Sequence, residues 1–290
     1  MIIITMNRFI ITADTGSGNI HQKNVAHSMF LLQKNLKNIR SVLLLGDNIY
    51  PGGSTSIHDK QFITKFEDIY HKINLPFYLC LGNHDYGLSY NPLRKDFLRN
   101  NSLTQVEYSN VSHKWNMPSK YYHYSQDPCD FFMIDTNFDV LNESSIQKQL
   151  HEVKKMIKLS KKPWKILCGH HTFRSVGGHG NAEKRFEQFM TDLLKDCHID
   201  IYMCGHDHCK SIIETHVNNK PLTCLVIGTG GKEYEKLFSL NKMKKAPTDS
   251  ELLFYSPNLG VCLLEADKNR LRLTCFNEGL LQEYSYLKSK

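Results

Sequence analysis

The sequence predicts an α/β fold built around parallel strands, on three observations: short continuous apolar runs, helix-like segments between them, and a length of 290 residues that suits one large domain. The apolar runs end alike. Phe9-Ile10-Ile11-Thr12-Ala13 leads into Asp14, and Val42-Leu43-Leu44-Leu45-Gly46 leads into Asp47. Phe77-Tyr78-Leu79-Cys80-Leu81-Gly82 leads into Asn83 and His84. Ile166-Leu167-Cys168-Gly169 leads into His170, and Ile201-Tyr202-Met203-Cys204-Gly205 into His206. Runs of this kind suit strands buried on both faces. Residues Lys23 to Leu36, Asp59 to Lys72, Ser144 to Leu159 and Asn181 to Asp196 read as helices, which makes the order one of βαβ units. Beyond Pro221, strand-like runs at Leu222–Ile227, Leu252–Tyr255, Val261–Leu264 and Leu271–Phe276 predict an added, more antiparallel sheet layer. No Pro/Gly/Ser-rich linker divides the chain and no repeat is visible, so residues 1–290 are expected to form a single domain.

Composition excludes several classes of function. Charged residues at 22% and aromatics at 11% are ordinary for a globular protein and argue against disorder. A formal charge of +7 suits anionic substrates but is too dilute to predict nucleic-acid binding. The densest basic stretch, Lys154, Lys155, Lys158, Lys161, Lys162 and Lys165, reads as a solvated face. No apolar stretch reaches the roughly 18–20 residues of a membrane span. Met1 to Ile11 contains Asn7 and Arg8, lacks a cleavage-like site and reads as the first core strand, which predicts a cytoplasmic protein. The nine cysteines form no C-x-x-C pair, and several sit inside apolar runs as small hydrophobes, consistent with a reducing setting. Asn100, Asn110 and Asn142 fit N-x-Ser and read as chance matches.

In open α/β sheets the ligand site lies beyond the carboxyl ends of the strands, and all five polar clusters fall there. Together they offer Asp14, Asp47, Tyr50, Asn83, His84, His170, His206 and His208. Carboxylate and phenolate oxygens are hard donors suited to Fe(III), whereas imidazole and amide oxygen suit a divalent ion such as Fe, Zn or Mn. Two cations about 3.5–4 Å apart can clamp a phosphate for in-line displacement. No Ser/His/Asp triad and no phosphate-cradling glycine loop competes for the role. Any one of these side chains alone would ordinarily be a cap, a core tyrosine or a hydrogen-bonded polar residue. Their joint occurrence at successive strand ends is what points to metal.

The motifs Asp14-x-Gly16, Gly46-Asp47-Asn48-Ile49-Tyr50, Gly82-Asn83-His84-Asp85, Leu167-x-x-His170 and Gly205-His206-Asp207-His208 resemble those of purple acid phosphatases. The likeness is to the small tartrate-resistant type within the calcineurin-like metallophosphoesterases. It extends to Lys114-Trp115-Asn116-Met117-Pro118-Ser119, Ile134-Asp135-Thr136 and Gly228-Thr229-Gly230-Gly231, and so spans nearly the whole chain in order. The resemblance implies a four-layer α/β/β/α sandwich of two mixed sheets flanked by helices. It implies an acid phosphatase that hydrolyses phosphomonoesters by attack of a metal-bound hydroxide. Asp14, Tyr50 and His208 would hold Fe(III), Asn83, His170 and His206 the divalent metal, and Asp47 would bridge them. His84 and His179 would be catalytic, orienting phosphate and helping protonate the leaving alkoxide. Position 16 is Gly where many calcineurin-like enzymes carry a ligand His, and Tyr50 stands where a phenolate would replace it.

Other residues near the motifs receive lesser expectations. His171 reads as a supporting or surface histidine, Asp85 as a hydrogen-bonding support for His84, and Cys204 as a core residue. His179 lies in Gly177-Gly178-His179-Gly180, a sequence that predicts a flexible loop. Ala13 replaces the family's usual glycine. The stretch Asn137 to Ser144 is short where the mammalian-type enzymes carry a loop that is cut to raise activity, which predicts activity without proteolysis. Substrate choice is expected to lie in the loops around Gly177–Gly180 and Lys236–Ser250. The expected partner is a phosphorylated small molecule or phosphoprotein, met by a monomer with no nucleic-acid or membrane partner. Competing readings are a phosphodiesterase or nucleotide hydrolase, and a catalytically inactive scaffold homologue. Intact ligand positions speak against the last.

Overall fold

A computed structural model of the chain describes residues 6–87, 95–232 and 249–290, with side chains left aside at 95–100. In the first of two sheets, β1 (Asn7–Thr12), β2 (Ile39–Leu45), β3 (Phe77–Cys80) and β4 (Trp115–Asn116) lie parallel. On the other side of β1, the strands β12 (Gly260–Ala266), β13 (Arg270–Asn277) and β14 (Gln282–Ser289) continue it antiparallel. In the second sheet, β6 (Cys129–Met133), β7 (Trp164–Cys168), β8 (Ile201–Cys204) and β10 (Lys220–Ile227) run parallel. It is flanked antiparallel by β5 (Tyr122–Gln126) on one side and by β9 (Lys210–Val217) and β11 (Ser250–Ser256) on the other.

Period-two alternation decides which side chains join the sheets. Trp164, Ile166 and Cys168 of β7, with Ile201 and Met203 of β8, share one core with the first sheet. Leu167, Tyr202 and Cys204 point the other way, into a second core beneath α4 (Glu143–Leu159) and α5 (Lys184–Asp196). Phe9 of β1 meets Phe131 of β6 edge-on at 4.8 Å, and Trp164 Nε1 donates to Asp267 O at 2.6 Å, so aromatic contacts stitch sheet to sheet. The helix α1 (Ile20–Asn35) buries Val25, Ala26, Met29 and Leu32 against the first sheet. Its start is set by Asn19, whose side chain accepts from Gln22 N. Asn142 does the same for α4 by accepting from Ser145 N, so this sequon-like asparagine serves as a helix cap. The architecture is the expected four-layer α/β/β/α sandwich of two mixed sheets.

Two expectations are corrected. The strands after Pro221 form no added layer: β10 and β11 belong to the second sheet, while β12 to β14 widen the first. The cause is that β1 has an open edge, which β12 fills in register, Asn7 opposite Ala266. The helix foreseen over Asp59–Lys72 is shorter. Its α-helical part, α2 (Lys60–Phe62), passes into a π-helical stretch, Ile63–Glu67, that turns Phe62, Phe66 and Tyr70 into the core. The sequence reading also passed over β4, β5, β6, β9, β14 and the helix α3 (Lys95–Tyr108).

All the cysteines are buried free thiols; Cys204 lies in the core as expected, and Cys262 stands opposite Cys275 across β12 and β13. Among the described residues no helix is long and apolar enough to cross a membrane.

Trp115 is fully buried edge-on to Phe62 and Phe66, and its Nε1 donates to Gln105 O at 2.9 Å. Trp115→Ala should lower unfolding stability by about 3–5 kcal/mol in urea titration. A loss under about 1 kcal/mol, the range of a tolerated surface change, would contradict this role for the cluster.

Candidate metal centre

The carboxyl ends of β1, β2 and β3 in one sheet and of β7 and β8 in the other open onto the same place. Asp14, Asp47 and His206 follow their strands with left-handed backbone, at φ 57°, 54° and 70°. That conformation costs a non-glycine residue on the order of 1–3 kcal/mol, and Asp and His tolerate it better than most. It breaks each strand at once and turns these residues into the space between the sheets. The glycines beside them allow close approach. A Cβ on Gly82 would sit 2.1 Å from Asp47 Oδ1. One on Gly16 would sit 2.2 Å from the Asn48 backbone.

Asp14 is fully buried and Asp47 nearly so, and with His170 they bring ligand atoms within 4.8 Å of one another. Asp14 Oδ1 accepts from Tyr50 Oη at 2.8 Å and lies 3.4 Å from His208 Nε2. Its Oδ2 accepts from His206 N at 2.9 Å. Asp47 Oδ1 accepts from His84 N at 2.9 Å and lies 3.4 Å from His170 Nε2. His170 donates its Nδ1–H to Leu45 O at 2.9 Å, which aims Nε2 at Asp47 and at Asn83 Oδ1, 3.2 Å away. Fixing one ring nitrogen on a carbonyl is the usual way a metal-binding histidine is oriented. The His206 ring lies 5.1 Å from that of His170. Every expected metal-ligating side chain is therefore at this one place.

Electrostatics fit a cation here. Burial alone would raise Asp47, but His170, followed by His84 and His206, holds it well below the usual carboxylate range. Burial would lower His170, yet the charge and hydrogen bond of Asp47 push it up to about 10. Burial and then neighbouring histidines keep His206 well below its ordinary value, and burial with His170 takes His171 down to about 3. One imidazolium thus faces two buried carboxylates, and a metal ion would take over the place of its proton. Burial, then the charges of Asp14 and Asp47, hold the Tyr50 phenol well above its ordinary value. It stays a donor to Asp14 until a cation displaces that proton.

His84 and His179 stand at the rim. The His84 Nδ1 donates to Pro51 O at 2.7 Å, and its Nε2 lies 3.8 Å from Asp47 Oδ2. The exposed His179 ring stacks on His206 at 3.9 Å. Its loop is tied down rather than free, because Asp207 accepts from His179 N at 2.7 Å, from Gly180 N at 3.4 Å and from Ser175 Oγ. Beside it opens a cavity of about 310 Å³ lined by Asn83, Phe138, His171, His179, Phe186 and His206. Of the expected specificity loops, residues 236–248 lie outside the described residues.

Sequence reasoning gave Asp207 no role, although its position between two candidate ligands was a signal. It also assigned Asp85 to His84. Instead, Asp85 accepts from Gly82 N at 2.8 Å, Asn48 N at 2.9 Å, Ile49 N at 3.1 Å and Gln105 Nε2 at 2.7 Å. It joins the loops after β2 and β3, and burial followed by the Asp47 charge raises it to about 7.

With the geometry in view, comparison with known proteins is decisive. A model of the calcineurin-like phosphoesterase family matches residues 7–210. The chain belongs to that family. This calcineurin-like phosphoesterase is 27% identical to purple acid phosphatase 4 of Arabidopsis thaliana over 279 residues, covering 93% of this chain and 79% of that one. It is 30% identical to tartrate-resistant acid phosphatase type 5 of Homo sapiens over 190 residues, 58% of this chain and 54% of that one. Its fold is similar to that of GAP50, an inner membrane complex anchor of Plasmodium, with a TM-score of 0.79 at 20% identity, covering 98% and 89% of the two chains. The calcineurin-like phosphoesterase described here is a metal-dependent phosphoesterase.

Gly16 and the loop carrying Tyr50 pack together. Gly16 N donates to Asp47 O at 3.1 Å and Gly16 O accepts from Tyr50 N at 2.9 Å, so the loop carrying Tyr50 lies directly on the glycine. Gly16→Ala should displace that loop, lower the melting temperature and weaken cation uptake about tenfold, the equivalent of one lost charged contact. Calorimetric titration with ferric and divalent ions checks it; unchanged affinity would refute the packing argument.

Proposed function

We propose that the protein is an acid phosphatase of the purple type, hydrolysing phosphomonoesters at a pair of cations. Asp14, Tyr50 and His208 would hold Fe(III), Asn83, His170 and His206 would hold a divalent Fe, Zn or Mn, and Asp47 would bridge the two. The observation that carries this reading is the Tyr50 phenol, 2.8 Å from Asp14 Oδ1 and 3.4 Å from His208 Nε2, with His170 Nε2 3.2 Å from Asn83 Oδ1. Phenolate and carboxylate with one imidazole would suit Fe(III), and two imidazoles with an amide oxygen would suit a divalent ion. The named relatives, purple acid phosphatase 4 and tartrate-resistant acid phosphatase type 5, support the same activity.

Bound cations would lower the pKa of water and neutralise charge on the phosphoryl oxygens. The protein's own groups do the rest. Asn83 and His206 line the cavity where a phosphoryl group fits. His84, oriented by the Nδ1–H it donates to Pro51 O, exchanges a proton with substrate. His179, braced through its backbone by Asp207, offers its ring to the leaving oxygen. Phe138 and Phe186 give the cavity an apolar wall.

Asp47→Asn should abolish both the visible absorption of the iron-loaded protein and turnover of p-nitrophenyl phosphate, because one carboxylate serves both ions. Retained turnover would contradict the assigned bridge. His179→Ala should cut kcat by about 10²-fold, as for loss of a proton-transfer group, with metal content unchanged by elemental analysis. Loss of iron in that variant would show His179 to be misassigned. Comparison with bis-p-nitrophenyl phosphate tests the monoester preference: faster cleavage of the diester would favour a phosphodiesterase.

A further inference from the structure

We propose that His171 is a further substrate-contacting residue, whose Nε2–H, fixed by Thr136, donates a hydrogen bond to the phosphate ester held in the cavity. The inference rests on the phosphatase reading above and adds a residue to it.

The argument starts from one hydroxyl. Thr136 is buried and follows β6, with its Oγ1 accepting from His170 N at 3.2 Å and from His171 N at 3.0 Å. A hydroxyl oxygen has two lone pairs and one proton. Both lone pairs are taken by backbone donors. The proton is left for the third neighbour, His171 Nδ1, at 2.8 Å. Nδ1 therefore accepts, and the imidazole carries its proton on Nε2.

The rest of His171 is held as firmly. Its carbonyl accepts from Tyr202 Oη at 2.6 Å, and its ring packs 4.5 Å from that of His206 and edge-on to His170 at 5.2 Å. Yet Nε2 has no hydrogen-bond partner among the described residues, and it is not among the sealed-off polar atoms that lack one. It reaches open space. That space is the cavity of about 310 Å³ that His171 lines with Asn83, His179 and His206. A donor fixed in advance and aimed into a site for an anionic group costs no reorganisation when that group arrives. His179 stands on an exposed loop; His171 is anchored on the frame of the sheet.

The test uses metal-loaded full-length protein with four readouts: metal content, kcat/KM for p-nitrophenyl phosphate, affinity for inorganic phosphate, and ¹⁵N resonances of labelled histidine. His171→Phe keeps the ring and removes the donor. It should lower kcat/KM by about 10²-fold, as for loss of one fixed donor, and weaken phosphate binding, with metal content unchanged. His171→Gln, whose amide N–H can reach the Nε2 position, should recover most of both losses. The labelled protein should show one histidine with a deprotonated Nδ1 that disappears in His171→Gln and shifts in Thr136→Val. An unchanged phosphate affinity in His171→Phe, a His171→Gln variant no better than Phe, loss of metal in both, or a protonated Nδ1 would each overturn the proposal. A wild-type protein that neither cleaves the ester nor binds phosphate would overturn the phosphatase reading, and this proposal with it. Wild-type turnover beside an unaffected His171→Phe would overturn this proposal alone.

Discussion

Two carboxylates, Asp14 and Asp47, end neighbouring parallel strands almost without exposure to water, and much of the structure is arranged around that fact. Negative charge so placed is unfavourable unless it is compensated. The compensation comes across the gap between the sheets, from the His170 ring and the His206 backbone N–H at the ends of β7 and β8, and along the same sheet from Tyr50 Oη and the His84 backbone N–H. Neither sheet could complete the centre alone. Face-to-face packing through Phe9, Phe131 and Trp164 is thus what sets the distances among the donors.

Around the ligands lies a tier of acids and hydroxyls with a mechanical task. Asp85 holds together the loops carrying Asn48, Ile49 and Gly82, Asp207 holds the loop carrying His179, and Thr136 holds the turn after β7. Their donors are mostly backbone N–H groups at the ends of strands, which would otherwise be left without partners in a buried region. The left-handed backbone at Asp14, Asp47 and His206 is held in place by this same network.

Much of this was legible in the sequence, and the division follows from range. Apolar runs closed by a small residue and then a metal-type side chain fix where a parallel strand ends and what it presents, so the side chains that meet at the candidate centre could be read position by position. Gly16 and Tyr50 could be read as a pair, because the absence of one side chain made room for another. The partners of Asp85 and Asp207 were not legible, since most of them are main-chain groups, which carry no residue-type signal. The placement of β12 beside β1 was hidden for a related reason. Two strands so far apart in sequence declare their own apolar faces and say nothing of each other. The π-helical stretch after Phe62 was hidden because its apolar spacing fits an ordinary helix as well.

The partnership of β1 with β12 bears on how the molecule is made. The strand that delivers Asp14 is bordered by β2 on one side and by residues 262–266 on the other. During synthesis that second border does not exist until residue 266 has been translated. Pairings of such long sequence separation form slowly, because the chain must close a large loop first. The nascent chain therefore carries an unpaired strand edge beside Asp14 until β12 arrives.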